Sequence, residues 1–158
     1  MDMDVLEWSL WSDGSCYPNP GDCSGAWVIY EPGKTEPYKI GSRYFWDKGT
    51  NNIAELLAVK YGLDDLPPNV TVTVYTDSKY VIGPHNWQWR KRTNLPYWVM
   101  LDESLKRHEK VKFYHVRGHK GVFNNELVDK LASIARKETR AANDAEIDKI
   151  YNKLLKKQ

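Results

Sequence analysis

Residues 70–78 read Val-Thr-Val-Thr-Val-Tyr-Thr-Asp-Ser, a β-branched segment that predicts a strand buried on at least one face. A helix is predicted before it over Asn51–Leu63, where apolar residues recur at the helical period, and Pro67-Pro68 separates the two elements. A strand that follows such a helix joins its sheet through a right-handed crossover. We therefore expect this strand to lie parallel to an earlier strand.

The flanking elements complete the predicted sheet. Three hairpin-linked strands are predicted upstream: Val5–Ser12, Ala26–Tyr30 and Tyr38–Trp46. Downstream, a helix is predicted to start after Ser78, followed by a helix, a strand and a helix at Leu95–Arg107, Val111–Val116 and Asn125–Ala135. This order predicts an α/β fold with a five-stranded mixed sheet, three antiparallel strands and then two parallel ones, flanked by helices. The first and fourth strands become parallel neighbours.

The composition bounds the domain organisation. The chain has 158 residues, of which 41% are hydrophobic and 28% charged, as expected for one globular domain with a core. We assign residues 1–142 to this domain and residues 143–158 to a basic amphipathic C-terminal tail. The tail is expected to form a helix that docks on the body or on a partner, or else frays. Its lysines are Lys149, Lys153, Lys156 and Lys157.

Two features indicate where the protein acts. No apolar run exceeds five residues, which excludes a membrane-spanning helix, and the acidic N-terminus lacks a secretory pattern. We expect a cytoplasmic protein that makes no use of a membrane. A bridge between Cys16 and Cys23 is conceivable, but reduced thiols are predicted in that compartment.

Two predicted strands end in an aspartate. Trp11-Ser12-Asp13-Gly14 and Tyr75-Thr76-Asp77-Ser78 place Asp13 and Asp77 at carboxyl ends that meet at one edge of an open α/β sheet. Carboxylates on strands about 4.8 Å apart repel each other unless they are protonated or bridged by a cation. Oxygen ligands favour Mg²⁺ or Mn²⁺. The alternative is that both aspartates are ordinary turn and cap residues.

Three further residues are candidates for the same site. Glu55 lies in the first turn of the Asn51–Leu63 helix, although its spacing from Asn52 also fits a capping box. Asp129 lies on a helix, where it can equally be a solvated residue. His119 lies between two glycines and can transfer protons near neutral pH, or it is simply exposed.

A segment rich in aromatic and basic residues points to a nucleic acid. Arg90-Lys91-Arg92 follows Trp87 and Trp89, and the chain holds seven tryptophans and ten tyrosines. Rings beside cations are typical of grooves that bind nucleic acids. Most of these rings are nonetheless expected in the core or at its edge. The net charge of +2 is too small to decide the matter.

Four segments together resemble type 1 ribonuclease H. In the family's order they are Ser12–Cys16 with Asn19–Gly21, Thr50–Leu56, Thr76–Val81, and Val116–His119 with Asn125–Ala132. The resemblance implies a ribonuclease H-like fold. It also implies an endonuclease that hydrolyses the RNA strand of RNA–DNA hybrids and leaves 3′-hydroxyl and 5′-phosphate ends.

The resemblance also implies roles for the acidic residues. Asp13, Glu55, Asp77 and Asp129 match the family's four metal-binding carboxylates. His119 matches its mobile histidine, which assists product release or proton transfer. The implied cofactor is a pair of Mg²⁺ ions, with Mn²⁺ as a substitute, in a two-metal-ion mechanism.

Nine residues match or adjoin the family's substrate contacts. Asn19 and Asn52 are implied to face the minor groove of the RNA strand together with Glu55 and the backbone near Cys16, and Asn51 adjoins them. The 2′-hydroxyl of this strand distinguishes it from DNA. Three match a pocket for a phosphate of the DNA strand: Lys48, Thr50 and Asn94. Three are expected along the DNA strand: Trp87 and Trp89 on its sugars and Arg90 near its phosphates. Helix capping is the alternative for Asn51 and Asn52.

One departure from the family concerns affinity. Many bacterial members carry a long basic handle where this chain has only His85–Asn94. Hybrid affinity is then lower, or the basic tail compensates. We expect a compact monomer that binds an RNA–DNA hybrid, with the partner of the tail left open.

Two alternative functions remain at this point. One is another metal-dependent nuclease of the same superfold, such as a transposase or junction resolvase, although His119 and Thr50–Glu55 favour ribonuclease H. The other is a non-catalytic module that binds hybrids. The presence of all four carboxylates argues against the module.

Overall fold

A computed structural model describes residues 7–117 and 122–158. Its sheet contains five strands: β1 Trp8–Tyr17, β2 Gly21–Tyr30, β3 Lys39–Gly49, β4 Thr71–Thr76 and β5 Lys110–His115. The strand order is β3-β2-β1-β4-β5. The pairs β1–β2 and β2–β3 are antiparallel, whereas β1–β4 and β4–β5 are parallel. The predicted mixed sheet, with its first and fourth strands parallel, is confirmed.

Five helices lie in the described residues: α1 Asn51–Asp64, α2 Lys79–Asn86, α3 Leu95–Leu105, α4 Phe123–Glu138 and α5 Asp144–Leu155. The helix start predicted after Ser78 is confirmed, because Ser78 caps α2 by accepting a hydrogen bond from the backbone N–H of Val81 at 3.2 Å. Across the described part of the chain, no helix combines the length and apolar character that crossing a bilayer requires.

The helices cover both faces of the sheet, because the strands alternate their side chains between two cores. On one face, Leu10 of β1 and Val74 of β4 pack with Leu56 of α1. On the other face, Val28 of β2 packs with Leu131 of α4. Each fully buried leucine stabilises the fold by about 1.5–3 kcal/mol. The sheet is thus packed between two layers of helices.

Two strands are longer than predicted. β1 was expected to end before Asp13-Gly14, and β2 was expected to begin only at Ala26, but Gly14 and Gly25 face each other inside the β1–β2 ladder. A Cβ atom on Gly25 would lie 2.6 Å from the ring of Phe45, so this glycine serves close packing and not a turn.

The prediction of reduced thiols is wrong. Cys16 and Cys23 form a disulfide, with Cα atoms 4.2 Å apart. The physical reason is register: the two cysteines are directly opposite each other on β1 and β2. Their spacing of seven residues did not by itself determine this pairing.

The C-terminal helix docks on the body. Asn143 and Glu146 form a capping box at its start, in which each side chain accepts a backbone hydrogen bond of 2.9 Å from the other residue. Leu154 is buried against α4 in the second core. The division of the chain into residues 1–142 and 143–158 stays a prediction.

Candidate active site

Asp13 and Asp77 lie together at the carboxyl edge of the sheet. The parallel ladder between β1 and β4 pairs Trp11 with Tyr75, and Asp13 and Asp77 each follow two residues later. Asp13 is buried, and Asp77 is partly buried. The parallel register therefore places both carboxylates at one edge, as the strand ends predicted.

Glu55 reaches the same edge from α1. A Cβ atom on Gly14 would lie 2.5 Å from the backbone of Ala54 and Glu55, so only glycine lets the helix approach β1 this closely. The backbone N–H of Gly14 donates a hydrogen bond to Oε1 of Glu55. Thr50, and not Asn52, is the N-cap of α1. The capping-box interpretation of Glu55 is therefore wrong.

The three carboxylates form one cluster. Asp13, Glu55 and Asp77 each offer an oxygen, and these oxygens all lie within 4.8 Å of one another. Asp129 on α4 is exposed and lies outside this set. Its negative charge nevertheless raises the pKa of both Asp13 and Asp77. Below, the term carboxylate cluster means Asp13, Glu55 and Asp77.

Burial and like charge make the carboxylate cluster electrostatically costly. Burial raises the pKa of Asp13 well above its usual value, and the charges of Asp77 and Asp129 raise it further. Burial also raises the pKa of Glu55, as do the charges of Asp13 and Asp77. The pKa of Asp77 is raised by burial, although a hydrogen bond with Glu55 opposes the shift. A cation among these oxygens would relieve the repulsion.

The donor set fits a hard divalent cation. All three ligands are carboxylate oxygens, which suit Mg²⁺ or Mn²⁺ better than a metal that prefers nitrogen or sulfur. Burial and the neighbouring negative charges raise the pKa values of Asp13 and Glu55, and a cation among the oxygens would offset both effects. The carboxylate cluster can therefore hold a metal ion.

Several of the predicted RNA contacts meet at the start of α1. The N–H of Asn51 donates to Oδ1 of Asn19 at 3.1 Å, and Oδ1 of Asn51 accepts from the N–H of Cys16 at 3.2 Å. Thr50 accepts from the N–H of Ile53 at 3.4 Å as the N-cap. Helix capping is thus the wrong interpretation for Asn51 and Asn52. Asn52 is exposed, as is Lys48 on the preceding strand.

The tryptophan segment lies beside the carboxylate cluster. Trp87 and Trp89 are 42% and 50% exposed, with ring centroids 5.3 Å apart. They line a pocket of about 620 Å³ that also contains Asp77. Arg90 is exposed. Asn94 donates to the hydroxyl of Tyr80 at 3.1 Å, and its predicted role at a DNA phosphate stays a prediction.

Comparison with known proteins identifies the family. The family model of RNase H matches residues 7–137. The chain belongs to the ribonuclease H family. Ribonuclease H of Bordetella avium (strain 197N) is 38% identical over 144 residues, which cover 82% of this chain and 89% of the relative. Ribonuclease H of Rhodopseudomonas palustris (strain BisB5) is 40% identical over 135 residues, which cover 77% and 86%. The chain is therefore an enzyme of the ribonuclease H class.

Solved structures show the same fold. RNase H1 of Halobacterium salinarum NRC-1 superposes with a TM-score of 0.71 at 23% identity, covering 84% of this chain and 98% of the other. LC11-RNase H1, solved in complex with an RNA/DNA hybrid, gives a TM-score of 0.68 at 22% identity, covering 82% and 99%. These matches confirm the predicted ribonuclease H-like architecture.

The histidines of this ribonuclease H site are His119, which was predicted, and His115, which was not. His119 falls within residues 118–121, outside the described residues, so its predicted role stays a prediction. His115, Lys79 and Arg117 line the tryptophan pocket but were not predicted as site residues. A signal for His115 existed: it ends β5 opposite Thr76, so it lies on the same carboxyl edge. Its Nε2 atom is 3.3 Å from the backbone oxygen of Asp77.

Proposed function

We propose that this chain is an endonuclease that hydrolyses the RNA strand of RNA–DNA hybrids. The observation that carries the proposal is the carboxylate cluster, whose oxygens converge within 4.8 Å at the open edge of the sheet. Membership of the ribonuclease H family supports it. So does the RNA/DNA hybrid bound by the structurally similar LC11-RNase H1.

The four acidic residues would hold two divalent cations, with Mg²⁺ as the natural ion and Mn²⁺ as a substitute. Asp13, Glu55 and Asp77 converge, and Asp129 adds a fourth charge beside them. When bound, the cations supply the positive charge that activates the attacking water and stabilises the departing 3′-oxygen. The proposed products carry 3′-hydroxyl and 5′-phosphate ends. All four ligands belong to one chain, so a monomer suffices.

The chain's own contribution is to position these ligands before substrate binds. Asp13 and Asp77 are fixed by the β1–β4 ladder, and Glu55 is fixed by the N–H of Gly14. Prepositioned groups accelerate a reaction because their orientation need not be found during each turnover. His119 would transfer a proton or assist product release.

Substrate strands would lie on either side of the carboxylate cluster. The amide groups of Asn19, Asn51 and Asn52 near the start of α1 suit the RNA minor groove, where the 2′-hydroxyl is both donor and acceptor. The exposed rings of Trp87 and Trp89 suit the sugars of the DNA strand. With one surface for RNA and another for DNA, the enzyme would require a duplex that has one RNA strand and one DNA strand.

A cleavage assay tests the proposal. Matched RNA–DNA hybrid, double-stranded RNA and double-stranded DNA, each with one labelled strand, are incubated with Mg²⁺ and with EDTA. We expect only the RNA strand of the hybrid to be cut, and only without EDTA. Cleavage that continues undiminished in EDTA contradicts the metal assignment.

A pair of variants separates binding from chemistry. Asp13→Asn keeps the shape of the side chain but removes a ligand charge, so cleavage should be lost while hybrid binding persists. Asp148→Asn, an exposed change on α5, is the matched control and should cleave normally. Near-normal turnover by Asp13→Asn refutes the proposed role, and a wild-type chain that binds hybrid without cutting it indicates a non-catalytic module.

A further inference from the structure

A groove of about 550 Å³ runs between α4 and α5. Its positive residues come from both helices and from the chain that follows α5. They are Lys130 and Lys137 on α4, Lys149 and Lys153 on α5, and Lys157 just after α5. All five are exposed. Below, the term lysine groove means this groove and these five lysines.

The five lysines of the lysine groove outnumber its two acidic residues, Asp129 and Glu146. Within residues 7–117 and 122–158, none of its five lysines forms an ion pair. The acidic residue Glu146 also lines the groove, but it is paired with Arg140 at 2.7 Å. Lys149 and Lys153 are four residues apart on α5, where like charges destabilise a helix, and Lys157 follows the end of α5. Such a concentration of positive charge is suited to an anionic partner.

The lysine groove adjoins the carboxylate cluster but lies on the other face of the sheet from the tryptophans. Asp129 lines the groove, and its carboxylate is close enough to Asp13 to act on it electrostatically. The helices α4 and α5 cover one face of the sheet, whereas α1 and α3 pack on the other. A duplex that crosses the carboxyl edge can therefore be contacted on both sides.

The cations near the tryptophans include Lys79 and Arg117, which line the same pocket as the rings. The ammonium group of Lys91 lies 3.3 Å from the carboxylate of Asp102 and 4.9 Å from the ring centroid of Trp98, so its charge is partly neutralised by contacts within the protein. Arg90 and Arg92 remain exposed. A duplex long enough to pass beyond these cations would meet further positive charge at the lysine groove on the other face.

We propose that the lysine groove binds the phosphate backbone of the hybrid duplex beyond the cleavage site. This inference rests on the proposed function. Of the described residues that line the groove, none is aromatic, so it offers no platform on which bases of a single strand could stack. Five lysines without rings instead suit phosphates, whatever the base sequence.

The test compares two triple variants with equal loss of charge. Lys149, Lys153 and Lys157 are changed to Gln in the groove variant. Lys34, Lys106 and Lys110 are changed to Gln in the control, because these exposed residues lie away from the carboxyl edge. Both sets are made in the Asp13→Asn background, so that the hybrid survives the titration. The binding constant is measured as a function of salt concentration with hybrids of about 12 and about 30 base pairs. The number of phosphates increases with the length of the hybrid.

The expected result is a shallower salt dependence for the groove variant alone. Each lost phosphate contact lowers the steepness of log K against log salt by about 0.9, so with the long hybrid the slope of the groove variant should be shallower by about 2–3. Its binding of this hybrid should be about 10- to 100-fold weaker at low salt. The short hybrid should show a smaller difference. The double change Lys130→Gln and Lys137→Gln repeats the test on α4, and circular dichroism confirms folding.

Equal salt slopes for the groove and control variants overturn the proposal. Unchanged hybrid binding together with lost binding of polyglutamate also overturns it, because the groove would then serve an acidic protein. If the wild-type chain cleaves hybrid in either case, the proposed function survives. A wild-type chain that neither binds nor cleaves any hybrid overturns both proposals.

Discussion

Replacing Asp13 with Asn should stabilise the metal-free protein, although the residue is buried in its active site. In EDTA, the oxygens of Asp13, Glu55 and Asp77 face one another within 4.8 Å. At this distance two full charges repel by about 3–4 kcal/mol with an effective dielectric constant near 20. Partial protonation of the carboxylate cluster lowers this figure, so we expect Asn to raise the free energy of unfolding by about 1–3 kcal/mol near pH 8.

The gain should depend on pH in a defined direction. The pKa values of all three carboxyl groups are raised by folding, so the folded chain binds more protons than the unfolded chain above about pH 4. The stability of the metal-free wild type therefore falls as the pH rises from that value through the folded pKa values. The carboxylates are protonated in both states only well below pH 4, so the difference between Asp and Asn should be smaller at pH 4 than at pH 8.

Thermal unfolding in EDTA at pH 4, 6 and 8 measures this effect. For a chain of this size, 1 kcal/mol shifts the Tm by about 2–4 °C. Mg²⁺ should then raise the Tm of the wild type more than that of Asp13→Asn, and Asp148→Asn serves as the control. A variant less stable than the wild type at pH 8 in EDTA would refute the idea that the carboxylates repel one another.

Three other changes probe different parts of the molecule. Gly14→Ala places a methyl group 2.5 Å from the backbone of Ala54. It should lower the free energy of unfolding in urea by about 1–3 kcal/mol and slow the steady-state rate of cleavage by about 100-fold. His85 has a pKa lowered to about 4 by burial, so its stabilising contribution is present above about pH 6.5 and is lost as the pH falls towards 4. His85→Phe should abolish that loss in urea titrations at pH 7 and 4.5, and an unchanged pH dependence would contradict this account. His119→Ala should slow turnover by about 10- to 1000-fold, as expected for a proton-transfer group, whereas an unchanged rate would make it a bystander.

The sheet was predictable because its signals are local. Alternating side chains, β-branched segments and Pro-Gly turns mark strands without knowledge of their neighbours. The handedness of crossovers then restricts how the fourth strand can join the first. For this reason, the proximity of Asp13 and Asp77 could be predicted from two similar strand ends, and the β1–β4 register confirms it.

Other features depended on register and close approach, which leave little trace in the sequence. The Cys16–Cys23 disulfide follows from a cross-strand pairing that the spacing did not reveal. Gly14 lies beyond the predicted end of the first strand, yet it is the point at which α1 touches β1. The lysine groove combines residues of α4, of α5 and of the chain that follows α5, and only the packing of the two helices shows that their charges share one surface.

The sequence alone thus determined the order of strands and helices and the pair of aspartates at one edge, because periodicity and chain connectivity act over short segments. Only the tertiary structure decided which distant residues the site residues contact. Glu55 has the spacing of a capping residue, but the closeness of α1 to β1 directs it to the N–H of Gly14 and into the carboxylate cluster. Contacts between distant segments depend on packing distances of a few ångströms, which no local pattern encodes.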